Sequence, residues 1–501
     1  MYSLVIKNGK IIDGSGKSAF FADVAIKDGK IVKIGKIEGE CEKIIDATGL
    51  VVTPGFIDSH SHNDNALVNF PDLVEKVEQG ITTSIAGQCG ASPAPSIKED
   101  GSILKMSEFF DSIKDNYFGS STMCLAGYKS IRKTVMGMRK DIPTENELKK
   151  MKELLRDALE AGAAGLSFGL IYPPCSYAKT EELVEMAKIV KEYNGIVSAH
   201  IRGEGNTVVE SAEEFIDIVR QSGVRGVHSH MKVAGGPQNH GKSKDLLENL
   251  DKAVSDGVDI YADVYPYIAS HTSLSVTIVP DSGQNLIERL KSEEERIKIR
   301  EWNMTRWWKD DFSWVQIVKC TGYPEYQGMR VPDIAKLHGK NQLDTMLDLI
   351  LESNDNCSAC YFTMCEDDVE NIISNERVMI GTDGGVKGNK SVFHPRVKGT
   401  FVRAISEYVR ERKVVPLEEM IRKMTSLPAF VYGLEQKGLI KEGLDADICI
   451  FDENKIKDHS EYADCDKRAD GFNYVIIGGE VVAENAVYCG KRCGRLLLKK
   501  R

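Results

Sequence analysis

The sequence predicts an α/β fold: a (β/α)8 TIM-like barrel with a small composite β-sandwich domain built from both chain ends. Three observations carry this expectation. Short apolar runs alternate with helical patterns through the middle of the chain. Five of the ten histidines lie at the ends of those runs. Both chain termini read as short strands joined by tight turns.

At the N-terminus, Asn8-Gly9 and Asp28-Gly29 stand between apolar runs, which is a hairpin signal. At the other end, 447–451 reads as a strand, and Gly478-Gly479 joins two more as a hairpin. Between these half-sheets the candidate barrel strands are 56–62, 81–89, 122–127, 164–170, 195–201, 226–231, 259–264 and 378–382. Helical patterns lie between them, for example 145–161, 181–193 and 212–222. Eight strands alternating with helices imply a closed parallel barrel whose site lies at the carboxyl ends of the strands.

About a hundred residues separate the last two strands, longer than an ordinary connection. All four tryptophans, Trp302, Trp307, Trp308 and Trp314, fall within it. Two roles are open to them: a small core for the insertion, or a lid over the barrel mouth. The expected division is residues 1–54 in the β-sandwich domain and 55–415 in the barrel, with an insertion at about 280–350. Residues 416–501 then form a helix and the return to the sandwich.

Bulk properties narrow the function. Hydrophobic residues make up 42% and charged residues 28% of 501, ordinary for a soluble globular protein. The net charge of -10 is mild, and no basic stripe points to nucleic acid. No apolar stretch reaches the ~18 residues of a membrane span, and the first residues lack a signal-peptide pattern. The twelve cysteines are therefore expected to be reduced and the protein cytoplasmic. Cys357 and Cys360 form a CxxC, but no second pair completes a structural zinc site. Nothing in the sequence sets an oligomeric state.

The chemistry is concentrated at the strand ends. In a strand, residues i and i+2 point the same way, so His60 and His62 project together. Later strands end in Gln88-Cys89-Gly90, His200-Ile201-Arg202, His228-Ser229-His230 and Thr382-Asp383-Gly384. Nitrogen and thiolate sulfur suit zinc, and a catalytic zinc keeps one coordination position open. Cys89, His200 and His230 make three ligands for one tight zinc. His60 and His62 serve a second, weaker ion, with Cys89 bridging. Asp383 stands where a carboxylate takes a proton from water and passes it to a leaving nitrogen. His228 lies deeper and reads as a core or supporting histidine.

The run Gly55-Phe56-Ile57-Asp58-Ser59-His60-Ser61-His62 resembles the first-strand motif of the amidohydrolase superfamily. Within it the chain resembles the D-aminoacylase (N-acyl-D-amino-acid deacylase) family, which has a cysteine in Gly-x-Cys-Gly where many relatives use a carbamylated lysine. Cys89 matches that cysteine. Segments 165–174, 200–204, 229–232, 263–267, 382–384, 394–396 and 424–429 follow in the family's order. The resemblance implies zinc-dependent hydrolysis of N-acyl-D-amino acids, small molecules cleaved to a carboxylate and a D-amino acid. It implies the same ligand and acid/base roles, and that Tyr172, Lys232 and Arg396 recognise the substrate carboxylate.

There are departures from the family pattern. Gly203 follows the His-x-Arg where relatives often carry an acid or amide, and Ala126-Gly127-Tyr128 lacks a common histidine. The stretch between Asp383 and His394 is its own Lys/Asn-rich loop. The alternative readings are a cyclic amidohydrolase of the hydantoinase or dihydropyrimidinase kind, an amidase for D-residue dipeptides or acidic acyl amino acids, and a barrel that has lost its metal.

Overall fold

The structure is a computed structural model, and it describes residues 1–282, 285–386 and 394–500. Most of the Lys/Asn-rich loop singled out above lies outside the described residues. Eight parallel strands form the centre: β1 (Phe56–Asp58), β2 (Ile81–Ala86), β3 (Ser121–Cys124), β4 (Gly165–Gly169), β5 (Ile196–His200), β6 (Arg225–His228), β7 (Ile260–Val264) and β8 (Val378–Ile380). They pair in chain order from β1 to β3 and from β4 to β8. Backbone bonds complete the ring. Ala164 N–H donates to the Cys124 carbonyl at 2.9 Å, and Ser59 N–H donates to the Ile380 carbonyl at 3.4 Å. A parallel bridge joins Ser61 to Gly384. Near-continuous apolar runs such as Ile196-Val197 and Val378-Met379-Ile380 suit strands buried on both faces.

Most strands end earlier than their apolar patterns do. The expected 81–89 stops at Ala86, 226–231 at His228 and 378–382 at Ile380. The cause is local: Cys89, His230 and Asp383 take left-handed backbone with φ of 53°, 37° and 46°. Such residues leave the strand direction and turn their side chains over the barrel mouth.

Nine strands from both chain ends form one continuous sheet. Val51–Pro54 runs antiparallel to Ile448–Phe451 and joins the two halves. Leu4, Ile6, Val24, Ile26, Ile448 and Ile450 share its core. Asp28-Gly29 and Gly478-Gly479 are hairpin turns, all with positive φ. Asn8-Gly9 is not: Tyr2–Ile11 runs through it as one strand, and the register shift there makes it a bulge. The last residues leave this sheet, and Leu496–Leu497 pair in parallel with β3.

Between β7 and β8 a three-stranded antiparallel sheet is built from Ser270–Ser273, Val315–Cys320 and Cys357–Tyr361. Helices such as Glu293–Met304 and Gln342–Glu352 cover it. Its own core contains Leu274, Ile299, Phe312, Trp314 and Leu347. Among the described residues no helix is long and apolar enough to cross a membrane.

Candidate metal centre

All nine residues singled out from the sequence lie at the carboxyl-end mouth of the barrel. Cys89 Sγ is 3.3 Å from His230 Nε2 and 3.4 Å from His60 Nε2. His60 Nε2 also lies 3.6 Å from Asp383 Oδ1, and His62 Nε2 3.0 Å from the same oxygen. Two ligand sets result. Cys89, His200 and His230 form one, and His60, His62, Cys89 and Asp383 the other, with donor atoms in each within 4.8 Å of one another. Cys89 belongs to both, so it can bridge two ions.

The donor set fits zinc. Tetrahedral Zn–S of about 2.3 Å and Zn–N of about 2.0–2.1 Å put sulfur and nitrogen roughly 3.5 Å apart. The Cys89–His230 distance of 3.3 Å is close to this. Both ring nitrogens of His200 are buried and form no well-aligned hydrogen bond, Nε2 having only the Glu204 carboxylate at 3.4 Å. A metal ion would complete that ring. Burial raises the Cys89 thiol, but His230 and His60 outweigh it and hold it well below the ordinary thiol range, toward the thiolate that binds metals. Burial, aided by the neighbouring His230, pulls His200 down against the pull of Glu204, keeping it neutral as a ligand.

The site has an outer layer that the sequence reading did not assign. Asp263, the penultimate residue of β7, places Oδ1 3.1 Å from His60 Nδ1 and accepts the His230 backbone N–H at 2.7 Å. Glu204, four residues after His200, lies 3.3 Å from His230 Nδ1 and 2.6 Å from Lys232 Nζ. Carboxylates facing the outer nitrogen of a ligating histidine fix its orientation and raise its basicity. Burial raises Glu204, yet His200 and Lys232 bring it below the usual carboxylate range. Both acids sat inside strand-end motifs, and the His200/Glu204 spacing was the available signal.

Asp383 and the cationic groups are held in pairs. Arg396 Nη1 lies 2.8 Å from Asp383 Oδ2. Burial raises the Asp383 carboxyl, but Arg396 and His230 hold it well below the usual range. Tyr172 packs edge-on against His200, with ring centroids 5.0 Å apart. His228 is buried, and burial drives it down to about 3, so it stays neutral and outside both ligand sets.

The amidohydrolase family profile matches residues 43–345 and 367–483. The chain belongs to this family. It is 31% identical to a D-aminoacylase of Alcaligenes xylosoxydans xylosoxydans over 99% of this chain and 98% of that protein. An N-acyl-D-glutamate deacylase from Bordetella bronchiseptica, solved with zinc and a phosphonate mimic of the tetrahedral intermediate, superimposes with a TM-score of 0.86. It is 31% identical and covers 99% of both chains. A D-aminoacylase described with a binuclear metal centre gives a TM-score of 0.85 at 30% identity over the whole of both chains. A D-hydantoinase is 19% identical with a TM-score of 0.61, a likeness of fold alone.

Proposed function

We propose that the chain is a zinc-dependent amidase that hydrolyses N-acyl-D-amino acids to a carboxylate and a free D-amino acid. The observation that carries this is Cys89, gathered with His200 and His230 into one buried ligand set, in a chain alike over its full length to D-aminoacylase. Residues 55–415 would be the hydrolase barrel and 1–54 and 416–501 its β-domain and return. Twelve cysteines without a disulfide support a cytoplasmic setting.

Cys89, His200 and His230 would hold the zinc, which when bound would supply Lewis acidity and lower the pKa of water to about 7. His60 and His62 provide a looser second position. Asp383 is ionised, so it can accept the proton of the attacking water and return it to the nitrogen of the broken amide. Arg396 steadies Asp383 in the charged form that this requires. Guanidinium and ammonium groups carry five and three donors. Arg396 therefore keeps donors for the substrate's α-carboxylate while paired to Asp383, Lys232 adds positive charge beside it while held by Glu204 and His230, and Tyr172 packs on His200.

Cys89 also weighs against a cyclic amidohydrolase, since those enzymes carry a lysine bridge. Complete ligand sets weigh against a barrel without a metal. The test compares N-acetyl-D-methionine, its L-enantiomer and the D-amide lacking the carboxylate. A strong D preference and a requirement for the carboxylate are expected, each tenfold being about 1.4 kcal/mol of transition-state binding. Equal rates on both enantiomers would reject the proposal, and unimpaired hydrolysis of the amide would reject the carboxylate roles.

A further inference from the structure

The barrel is closed beneath the metal centre by a helix that the proposed chemistry does not use. Ser426–Tyr432 packs Leu427, Val431 and Tyr432 against Ile57, Ile85 and Met379 of the strands. Ser426 Oγ donates to the Gly14 carbonyl at 2.6 Å, which fastens the helix to the β-domain. Gly433 at φ 74° ends the helix, so Tyr432 is its last residue.

The Tyr432 hydroxyl reaches into the barrel and donates to the Ser59 carbonyl at 3.1 Å. Gln88 Nε2 donates to the same oxygen at 3.2 Å, and Gln88 Oε1 accepts from Ser198 Oγ at 2.7 Å. A carbonyl oxygen has two lone pairs, which these two donors fill. Tyr432, Ser59, Gln88 and Ser198 are all fully buried. Each of the three strand-end residues adjoins a metal ligand. Ser59 precedes His60, and Gln88 precedes Cys89. Ser198 lies two residues before His200 on β5, and so on the same face. Three hydrogen bonds thus link one phenol to the chain that carries three ligands. Burial pushes that phenol well above its ordinary range, so it stays a neutral donor.

We propose that Tyr432 is a positioning residue of the metal centre. Acting through the Ser59 carbonyl and Gln88, it holds His60, Cys89 and His200 at the spacing their ions require, so the barrel floor aligns the site at the mouth. This rests on the zinc-dependent deacylase reading above. Buried polar networks rigidify their surroundings when every member is satisfied. Without the phenol oxygen the Ser59 carbonyl keeps one donor, and the peptide before His60 is free to turn.

The experiment loads the full-length protein with cobalt(II) in place of zinc, since the visible bands of thiolate-bound cobalt report ligand geometry. Tyr432→Phe removes a single oxygen. It should shift those bands and, in the zinc form, weaken metal retention against a chelator by about tenfold, as loss of an outer-layer partner does. Ser198→Ala, at the other end of the network, should also shift the bands, and it keeps the inference testable should Tyr432→Phe not fold. Leu427→Ala, on the same helix but outside the network, should lower the melting temperature and leave the bands in place. Bands and zinc retention equal to wild type in the folded network variants would overturn the inference, and so would an equal band shift in Leu427→Ala. A wild-type protein that takes up cobalt but hydrolyses no N-acyl-D-amino acid sinks the deacylase reading alone, and the bands still decide this inference. A wild-type protein that takes up no cobalt sinks both.

Discussion

Cys89, His230 and Asp383 share an uncommon feature: each is a non-glycine residue in left-handed backbone. Such conformations cost on the order of 1–3 kcal/mol each and persist where the surroundings hold them. Here each one ends a strand's run and swings a thiol, an imidazole or a carboxyl over the same few ångströms of space. Two single substitutions separate their roles. Cys89→Ala should lose the tight zinc by elemental analysis of the purified protein, because Cys89 belongs to both ligand sets. Full zinc retention would sink the assignment. Asp383→Asn should keep the fold and the tight zinc of Cys89, His200 and His230 but lose about 10²–10⁴-fold in kcat, the usual contribution of a general acid–base group. Near-normal turnover with the tight zinc retained would rule out the proton-transfer role.

The element that closes the barrel depends on a buried ion pair. Lys76, on the short helix Val74–Val77, is fully buried. Its Nζ donates to Asp58 Oδ2 at 2.8 Å, to Thr382 Oγ1 at 2.8 Å and to the Gly384 carbonyl at 3.0 Å. Asp58 in turn accepts the Thr382 backbone N–H at 2.8 Å and the His60 backbone N–H at 3.2 Å. The network thus ties the end of β1, which carries His60, to the end of β8, which carries Asp383. Lys76→Met leaves the Asp58 carboxylate buried and unpaired, which costs about 3–5 kcal/mol. A matching loss in unfolding free energy, with weaker zinc retention, is expected. A denaturation midpoint equal to wild type would show that the pair does not hold the closure.

Across the whole molecule, the insertion joins its own core to the barrel. Trp314 is buried in that core, while Trp307 is 37% exposed and packs against Gly236. Gly236 lies in the loop after β6 at φ 94°, and a Cβ there would come within 2.3 Å of the Trp307 ring. One end of the tryptophan cluster thus packs the insertion's core, and the other touches the loop after β6. Gly236→Ala should displace Trp307, change tryptophan emission and lower kcat/KM. Unchanged emission and kinetics would reduce the cluster to packing alone.

Much of this was legible because it is local. Strand alternation put His60 and His62 on one side, and apolar runs ending in Cys89, His200, His230 and Asp383 marked one barrel face. The positive-φ turns Asp28-Gly29 and Gly478-Gly479 announced themselves by residue type, although the same signal at Asn8-Gly9 marked a bulge. What the tertiary structure alone decided are the partnerships between distant segments. Glu204 with Lys232, Asp263 with His60, Arg396 with Asp383, and Lys76 with Asp58 and Thr382 exist only once the barrel has closed. Periodicity is a property of consecutive residues, so it reports which way a side chain points. Charge pairing depends on distance in space, which a chain acquires only when its core packs.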